Sequence, residues 1–140
     1  MKLMVIQLKQ KSREMKINIT QLQGDGDFRS QQSIDTLKQC DIVISNPPFS
    51  LFREYIDQLT TYNKKFIVLG NMNAITYKNV FPLIKDNEIW LGVNNGVKTY
   101  NKPDGTTQKL GNTCWFTNLE HNERNESIEL TQTFDGYEVL

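Results

Sequence analysis

The chain has 140 residues, of which 38% are hydrophobic, so it is long enough for one domain with a core of its own. Lysine and arginine total 16, and aspartate and glutamate also total 16, so the net charge of zero excludes a wholly basic nucleic-acid coat protein. Basic residues predominate in 1–16 and acidic residues in 122–140, which leaves a domain over 17–121 between two solvated ends.

The start of the chain and its cysteines indicate the cellular compartment. The first apolar run, Leu3 to Ile6, is too short for the core of a signal peptide or for a membrane span. Cys40 and Cys114 lie far apart, with no CxxC spacing and no neighbouring histidines. We therefore expect free thiols in a reducing cytoplasm, with no metal site and no membrane partner.

The first predicted elements alternate between strand and helix. Apolar residues alternate with polar residues over 17–22, which indicates a strand that ends in the glycine-rich turn 24–27. Apolar residues one helical turn apart then predict a helix over 30–40. Three consecutive β-branched residues predict a strand over 41–45 that is covered on both faces.

The second half of the chain continues this alternation. The predicted elements are a helix over 50–61, a strand over 65–69, a helix over 76–85, and strands over 88–91 and 114–117 separated by a polar loop over 92–112. Repetition of strand and helix favours an α/β fold with a mainly parallel, Rossmann-like sheet and flanking helices.

The junction between strand 41–45 and the following helix holds the sequence Asn46-Pro47-Pro48-Phe49. Neither proline can donate a hydrogen bond to a sheet, so the backbone leaves the strand in a rigid kink. A junction of this kind lies at the carboxyl edge of a sheet, where open α/β folds bind ligands.

The groups at this turn suit a flat ring that carries an amino group. The Asn46 side-chain oxygen and the Pro47 carbonyl can accept hydrogen bonds from the amino group, and Phe49 offers a face for the ring. Such a nitrogen is a weak nucleophile, because its lone pair is delocalised into the ring. Two acceptors outside the ring plane favour a more tetrahedral nitrogen as a new bond forms. The plainer alternative is a helix-entry turn, since proline is common in a first helical turn.

The segments GDGDFRS, DIVISNPPFSLFREYIDQL, KKFIVLGNMNAITYKNVFPLIKDNEIWLG and CWFTNLEH resemble the EcoRI-type adenine-specific DNA methyltransferase family. The resemblance covers roughly residues 22–121. It implies that a methyl group is transferred from S-adenosylmethionine to the exocyclic amino group of an adenine flipped out of a DNA duplex. DNA and S-adenosylmethionine are the partner and cofactor that it implies.

The resemblance also implies roles for individual residues. Asn46 and the Pro47 carbonyl would hold the adenine amino group, Pro48 would stiffen the turn, and Phe49 would stack on the base. Asp27 and Phe28 would contact the adenine of the methyl donor, although GDGDF is also compatible with a simple tight turn. Tyr100, in the loop between the last two predicted strands, would place a second aromatic ring against the substrate base.

One feature of the family is missing from this sequence. Enzymes of this family carry a strand and a glycine-containing loop for the methyl donor upstream of the GDGDF segment, whereas residues 1–16 contain no glycine. The methyltransferase-like domain is therefore expected to be truncated at its N-terminus. A fragment of a longer enzyme, a subunit of a split enzyme and an inactive remnant all fit this pattern, so the activity of the isolated chain is an open question.

The missing donor-binding strand and loop also determine which partners and alternative functions are expected. A second chain or a missing N-terminal segment would complete the donor site, and an exposed sheet edge would also permit self-association. Similar turns occur in methyltransferases that act on protein glutamine or RNA guanine. The non-enzymatic alternative is a methyltransferase-like binding or assembly module.

Overall fold

A computed structural model describes residues 4–11, 14–93 and 96–126 of the chain. The first two elements, β1 (Met4–Lys11) and β2 (Glu14–Gln21), pair as an antiparallel two-stranded sheet. The strand predicted over 17–22 is therefore the second arm of a hairpin. Most of the predicted acidic tail, from residue 127 onward, lies outside the described residues.

The second sheet is mixed. The elements that build and flank it are α1 (Gln31–Gln39), β3 (Ile42–Ser45), α2 (Phe52–Thr61), β4 (Lys65–Asn71), α3 (Phe81–Lys85), β5 (Trp90–Leu91), β6 (Gly96–Asn101) and β7 (Thr107–Thr117). The strand order is β3-β4-β7-β5, and β6 also pairs with β7. β3 and β4 are parallel, whereas β7 runs antiparallel to β4, β5 and β6. The fold is α/β, but the prediction of a mainly parallel, Rossmann-like sheet is not confirmed.

Two other predictions about the second half need correction. The helix predicted over 76–85 is much shorter, because Pro82 is accommodated only in the first turn of α3; a 3-10 turn at Met72–Thr76 precedes it. The predicted loop over 92–112 contains β6 and the first half of β7, which form a hairpin. Residues 107–109 at the start of β7 are exposed, so the hydrophobic alternation that reveals a strand is absent there.

The core lies between α2 and one face of the second sheet. Its central residues are Phe52, Tyr55, Ile56 and Leu59 from α2, Phe66 and Val68 from β4, and Cys114 and Phe116 from β7. The spacing of the α2 residues is that of an amphipathic helix, and those of β4 and β7 alternate as expected for a half-covered sheet. Burial raises the pKa of the Cys114 thiol to about 11, so this cysteine stays neutral.

Gly70 on β4 permits the closest approach in this core. A Cβ atom at this position would lie 2.5 Å from the Phe52 ring and 3.0 Å from the Phe116 ring. The two rings meet at a centroid distance of 5.0 Å, directly above the glycine. The absence of a side chain at Gly70 therefore lets Phe52, in the first turn of α2, pack against the sheet.

β3 is an edge strand in the part of the chain that the structure describes. Val43 packs against the core, whereas Ile42 and Ile44 are 48% and 66% exposed on the opposite face. The prediction that this strand is covered on both faces is therefore wrong for the described residues. The exposed isoleucines lie on the strand that leads directly into the Asn46-Pro47-Pro48-Phe49 turn.

Candidate functional site

The proline turn forms as a rigid exit from the sheet. β3 ends at Ser45, Pro47 is buried, and a single 3-10 turn at Phe49–Leu51 leads into α2. The amide of Leu51 donates to the Pro48 carbonyl at 2.9 Å, which closes that turn. Helix α2 thus begins at Phe52, two residues after the predicted start. The predicted strand–turn–helix order is confirmed.

The two side chains with predicted contacts to a base lie at the surface of this turn. Asn46 is exposed, and its side chain forms no hydrogen bond within the described ranges. Phe49 is half-buried. Both side chains are therefore accessible from solvent, as a substrate-binding role requires.

A cleft of about 250 Å³ opens beside the turn. One wall is the loop 25–28, which includes Asp27 and Phe28; the other is formed by Ser45, Pro47, Pro48, Leu51 and Tyr55. The structure thus brings the predicted donor-binding loop and two of the four predicted catalytic residues to one cleft. Asn46 and Phe49 belong to the same turn, but they do not line this cleft.

The loop before α1 is held in shape by local hydrogen bonds. Gly24 and Gly26 have φ values of 87° and 76°, a region that favours glycine, and the Asp25 carboxylate accepts from the amide of Asp27 at 3.0 Å. Ser33 Oγ donates to the Asp27 carbonyl at 2.8 Å. Phe28 is buried, so its ring anchors the loop in the core rather than standing free.

The Asp27 carboxylate in this site has a strongly lowered pKa. Arg29 donates to it from its backbone amide at 2.8 Å and from its guanidinium, with Nη2 at 2.7 Å from Oδ2. The guanidinium also reaches Glu54 on α2, at 3.1 Å. The side-chain hydrogen bond from Arg29, followed by the backbone one, lowers the pKa of Asp27 from 3.8 to about 2.

We predict that Asp27 titrates near pH 2 and that Arg29→Gln returns its pKa towards 3.8. Because the folded-state pKa is depressed, the stabilisation from this carboxylate is present above about pH 4 and is lost as the pH falls towards 2. Carbon-13 NMR of the Asp27 carboxyl group measures both values. Arg53→Gln is the matched control, since Arg53 stacks on Tyr77 and should leave the titration unchanged. An Asp27 pKa that is equal in wild type and Arg29→Gln would contradict the assignment.

Tyr55 on α2 connects the two walls of the cleft. Its hydroxyl oxygen lies 2.9 Å from Ser45 Oγ, which donates to it, and its ring meets the edge of Phe28 at a centroid distance of 5.0 Å. Burial, as the largest effect, raises the pKa of Tyr55, so the phenol stays protonated. The sequence did not reveal this role, because Tyr55 has the spacing of an ordinary core residue.

Tyr100 is not brought to the cleft. It lies in β6 rather than in a loop, opposite Gln108 of β7. The order of strands places β6 beside β7, with β4 between β7 and the strand that ends at the proline turn. The predicted contact between Tyr100 and the substrate base stays a prediction.

The described ranges contain neither a metal-binding cluster nor a membrane-spanning helix. No group of three or more His, Cys, Asp or Glu residues there is placed to hold a metal ion. None of the helices in the same ranges is long and apolar enough to cross a membrane.

Comparison with known proteins gives consistent matches. The family model for the adenine-specific methyltransferase EcoRI matches residues 2–139. The type II methyltransferase M.EcoRI of Escherichia coli is 47% identical over 139 residues, which cover 87% of this chain and 43% of that protein. No solved structure matches the chain.

Two mycoplasma proteins match over a similar extent. The type II methyltransferase M.MgeORF184P of Mycoplasma genitalium is 42% identical over 122 residues, which cover 74% of this chain and 38% of that protein. M.MpnI of Mycoplasma pneumoniae is 36% identical over 135 residues, which cover 84% of this chain and 42% of that protein. The chain thus spans less than half the length of each of these three relatives.

Proposed function

Because the chain belongs to the family of the adenine-specific methyltransferase EcoRI, we propose that it forms the catalytic part of a DNA methyltransferase. The proposed reaction transfers a methyl group from S-adenosylmethionine to the exocyclic amino group of adenine. The observation that carries this proposal is the exposed Asn46 at a proline-locked turn, directly beside a cleft whose other wall is Asp27 and Phe28.

Each group at the turn has a proposed task. Asn46 Oδ1 and the Pro47 carbonyl accept hydrogen bonds from the amino group, while Pro48 fixes the direction of the backbone and Phe49 stacks on the flipped base. Stacking of this kind contributes on the order of 1–3 kcal/mol per base. The acceptors act by orientation and electrostatics, so no strong general base is required.

The residues of the cleft fit part of the methyl donor. Arg29 makes four hydrogen bonds to the Asp27 carboxylate, two on each oxygen, so the amino group of an adenine ring would share an acceptor oxygen with Arg29. The apolar groups of Phe28, Leu51 and Tyr55 suit the ring itself. S-adenosylmethionine, when bound, would supply a methyl group on a sulfonium; the carbon–sulfur bond would break as the nitrogen–carbon bond forms, and the amino nitrogen would release one proton to water. The cleft volume of about 250 Å³ is below the usual range for a whole ligand of this size.

We therefore also propose that a further polypeptide segment, in the same or another chain, completes the donor site. The relatives are more than twice as long as the matched region, and β3 offers an unpaired edge beside the cleft among the described residues. A second copy of the chain at this edge is the competing arrangement. Size measurements on the purified chain distinguish the two, since only self-pairing predicts a dimer of the chain alone.

The experiment that tests the proposed activity measures methylated products in cells. The gene is expressed with its neighbouring reading frames in a bacterium that lacks adenine methylation, and hydrolysed DNA, RNA and protein are analysed by mass spectrometry. We expect N6-methyladenine in DNA. Methylated guanine in RNA or methylated glutamine in protein would support the other amino-group acceptors instead. The absence of all three products would favour the binding or assembly module and contradict the proposal.

A further inference from the structure

Tyr55 is the side chain that contacts both walls of the cleft. It is 3% exposed, and its ring packs edge-to-face on Phe28, with an angle of 77° between the rings. Its hydroxyl oxygen accepts a hydrogen bond from Ser45, the residue immediately before Asn46. One rigid aromatic group therefore touches the predicted donor-binding loop at one end and the start of the proline turn at the other.

Other contacts join α2 to the same loop, but they do not extend to the turn. Gln58 Nε2 donates to the Phe28 carbonyl at 3.1 Å, and Glu54 pairs with Arg29. The Arg29 and Glu54 side chains are 52% and 55% exposed, so their ion pair is screened by solvent and holds the loop only weakly. The contact through Tyr55, in contrast, is buried and reaches both the loop and the residue before the turn.

The Ser45 and Tyr55 hydroxyls also have a hydrogen to spare. Two hydroxyl groups that share one hydrogen bond use one of their two hydrogens, so the Tyr55 hydroxyl hydrogen is not used in the bond from Ser45. Both residues line the cleft.

We propose that Tyr55, acting through Ser45, is a positioning residue that sets the proline turn against the Asp27–Phe28 loop. The effect that we expect on the rate of methyl transfer rests on the proposed function. When the hydroxyl is removed, Ser45 loses its partner, and Asn46 is free to shift relative to the bound donor. A misplacement of about 1 Å in such a site can lower the rate about 100-fold.

The kinetic test compares Tyr55→Phe, Ser45→Ala and the double variant in the enzyme assembled with this chain. We expect kcat for DNA methylation to fall about 10- to 100-fold in each single variant, with the KM for S-adenosylmethionine changed less than about threefold. The double variant should fall no further than either single one, because both remove the same contact. Tyr62→Phe is the control, since Tyr62 lies at the end of α2 and does not line the cleft; its kcat should be unchanged.

A second measurement on the 140-residue chain does not depend on activity. In Tyr55→Phe, the amide NMR signals of Ser45 and Asn46 should shift, because the hydroxyl contact is lost, whereas Tyr62→Phe should leave them in place. Unchanged signals would overturn the positioning role. Full kcat in Tyr55→Phe, together with loss of activity in Asn46→Ala, would also overturn the positioning role. That result would leave the proposed function intact. Full activity of Asn46→Ala would instead contradict the proposed function.

Discussion

Asn46→Ala should lower kcat for adenine methylation by about 100- to 1,000-fold, the effect typical of removing one preorganised electrostatic group from an active site. The side chain is exposed and forms no hydrogen bond inside the described ranges, so its loss should change the free energy of unfolding by no more than about 0.5 kcal/mol. Methyl transfer and urea unfolding, measured on the same protein sample, separate the two effects.

Two further variants make this test specific. Asn46→Asp retains an acceptor oxygen at the same position, so it should keep more activity than Asn46→Ala. Asn122→Ala is the matched control, because Asn122 is also an exposed asparagine and lies at the start of a different turn. Equal losses in Asn46→Ala and Asn122→Ala, or unchanged methyl transfer in the former, would refute the assigned role of Asn46.

The elements around the proline turn could be predicted because their signals are local. β3 was predicted over 41–45 and is found at Ile42–Ser45, and α2 was predicted over 50–61 and is found at Phe52–Thr61. A run of β-branched residues and a helical apolar spacing specify these elements without reference to the rest of the chain. The prolines mark the boundary between them, since they cannot take part in a sheet ladder.

The hairpin of β6 and β7 could not be predicted in this way. Its residues beyond the core are mostly exposed, so they show no alternation of apolar and polar side chains. What holds β6 in place is a long antiparallel pairing with β7, a contact between strands that periodicity does not encode. Tyr100 was consequently assigned to a loop, whereas it lies in β6, and its predicted substrate contact stays a prediction.

The candidate site was predictable only in part for the same reason. The proline turn and the Asp27–Phe28 loop were recognised as motifs, and the structure places both at one cleft. The contact that joins them could not be read from the sequence, because Tyr55 has the spacing of any buried residue on α2. Its distinguishing property is the hydroxyl contact with Ser45, ten residues earlier in the chain.

Phe52→Ala should lower the free energy of unfolding by about 3–5 kcal/mol, a large part of the roughly 5–15 kcal/mol expected for a domain. Phe52 is 1% exposed, and its ring fills the space above Gly70 and against Phe116. Truncation leaves a cavity that the rigid β4 and β7 backbones cannot close. Since Phe52 is also the first residue of α2, directly after the proline turn, methyl transfer should fall with stability.

Phe81→Ala provides the matched control for this measurement. It makes the same chemical change, but Phe81 is 52% exposed at the start of α3, so little buried surface is lost. We expect its urea midpoint to stay close to that of the wild type, with equal m-values in all three proteins. Equal destabilisation by the two substitutions would mean that Phe52 is not part of the core. The contacts of Phe52 with Gly70 and Phe116, which anchor the first turn of α2 and with it the proline turn, would then be incorrect.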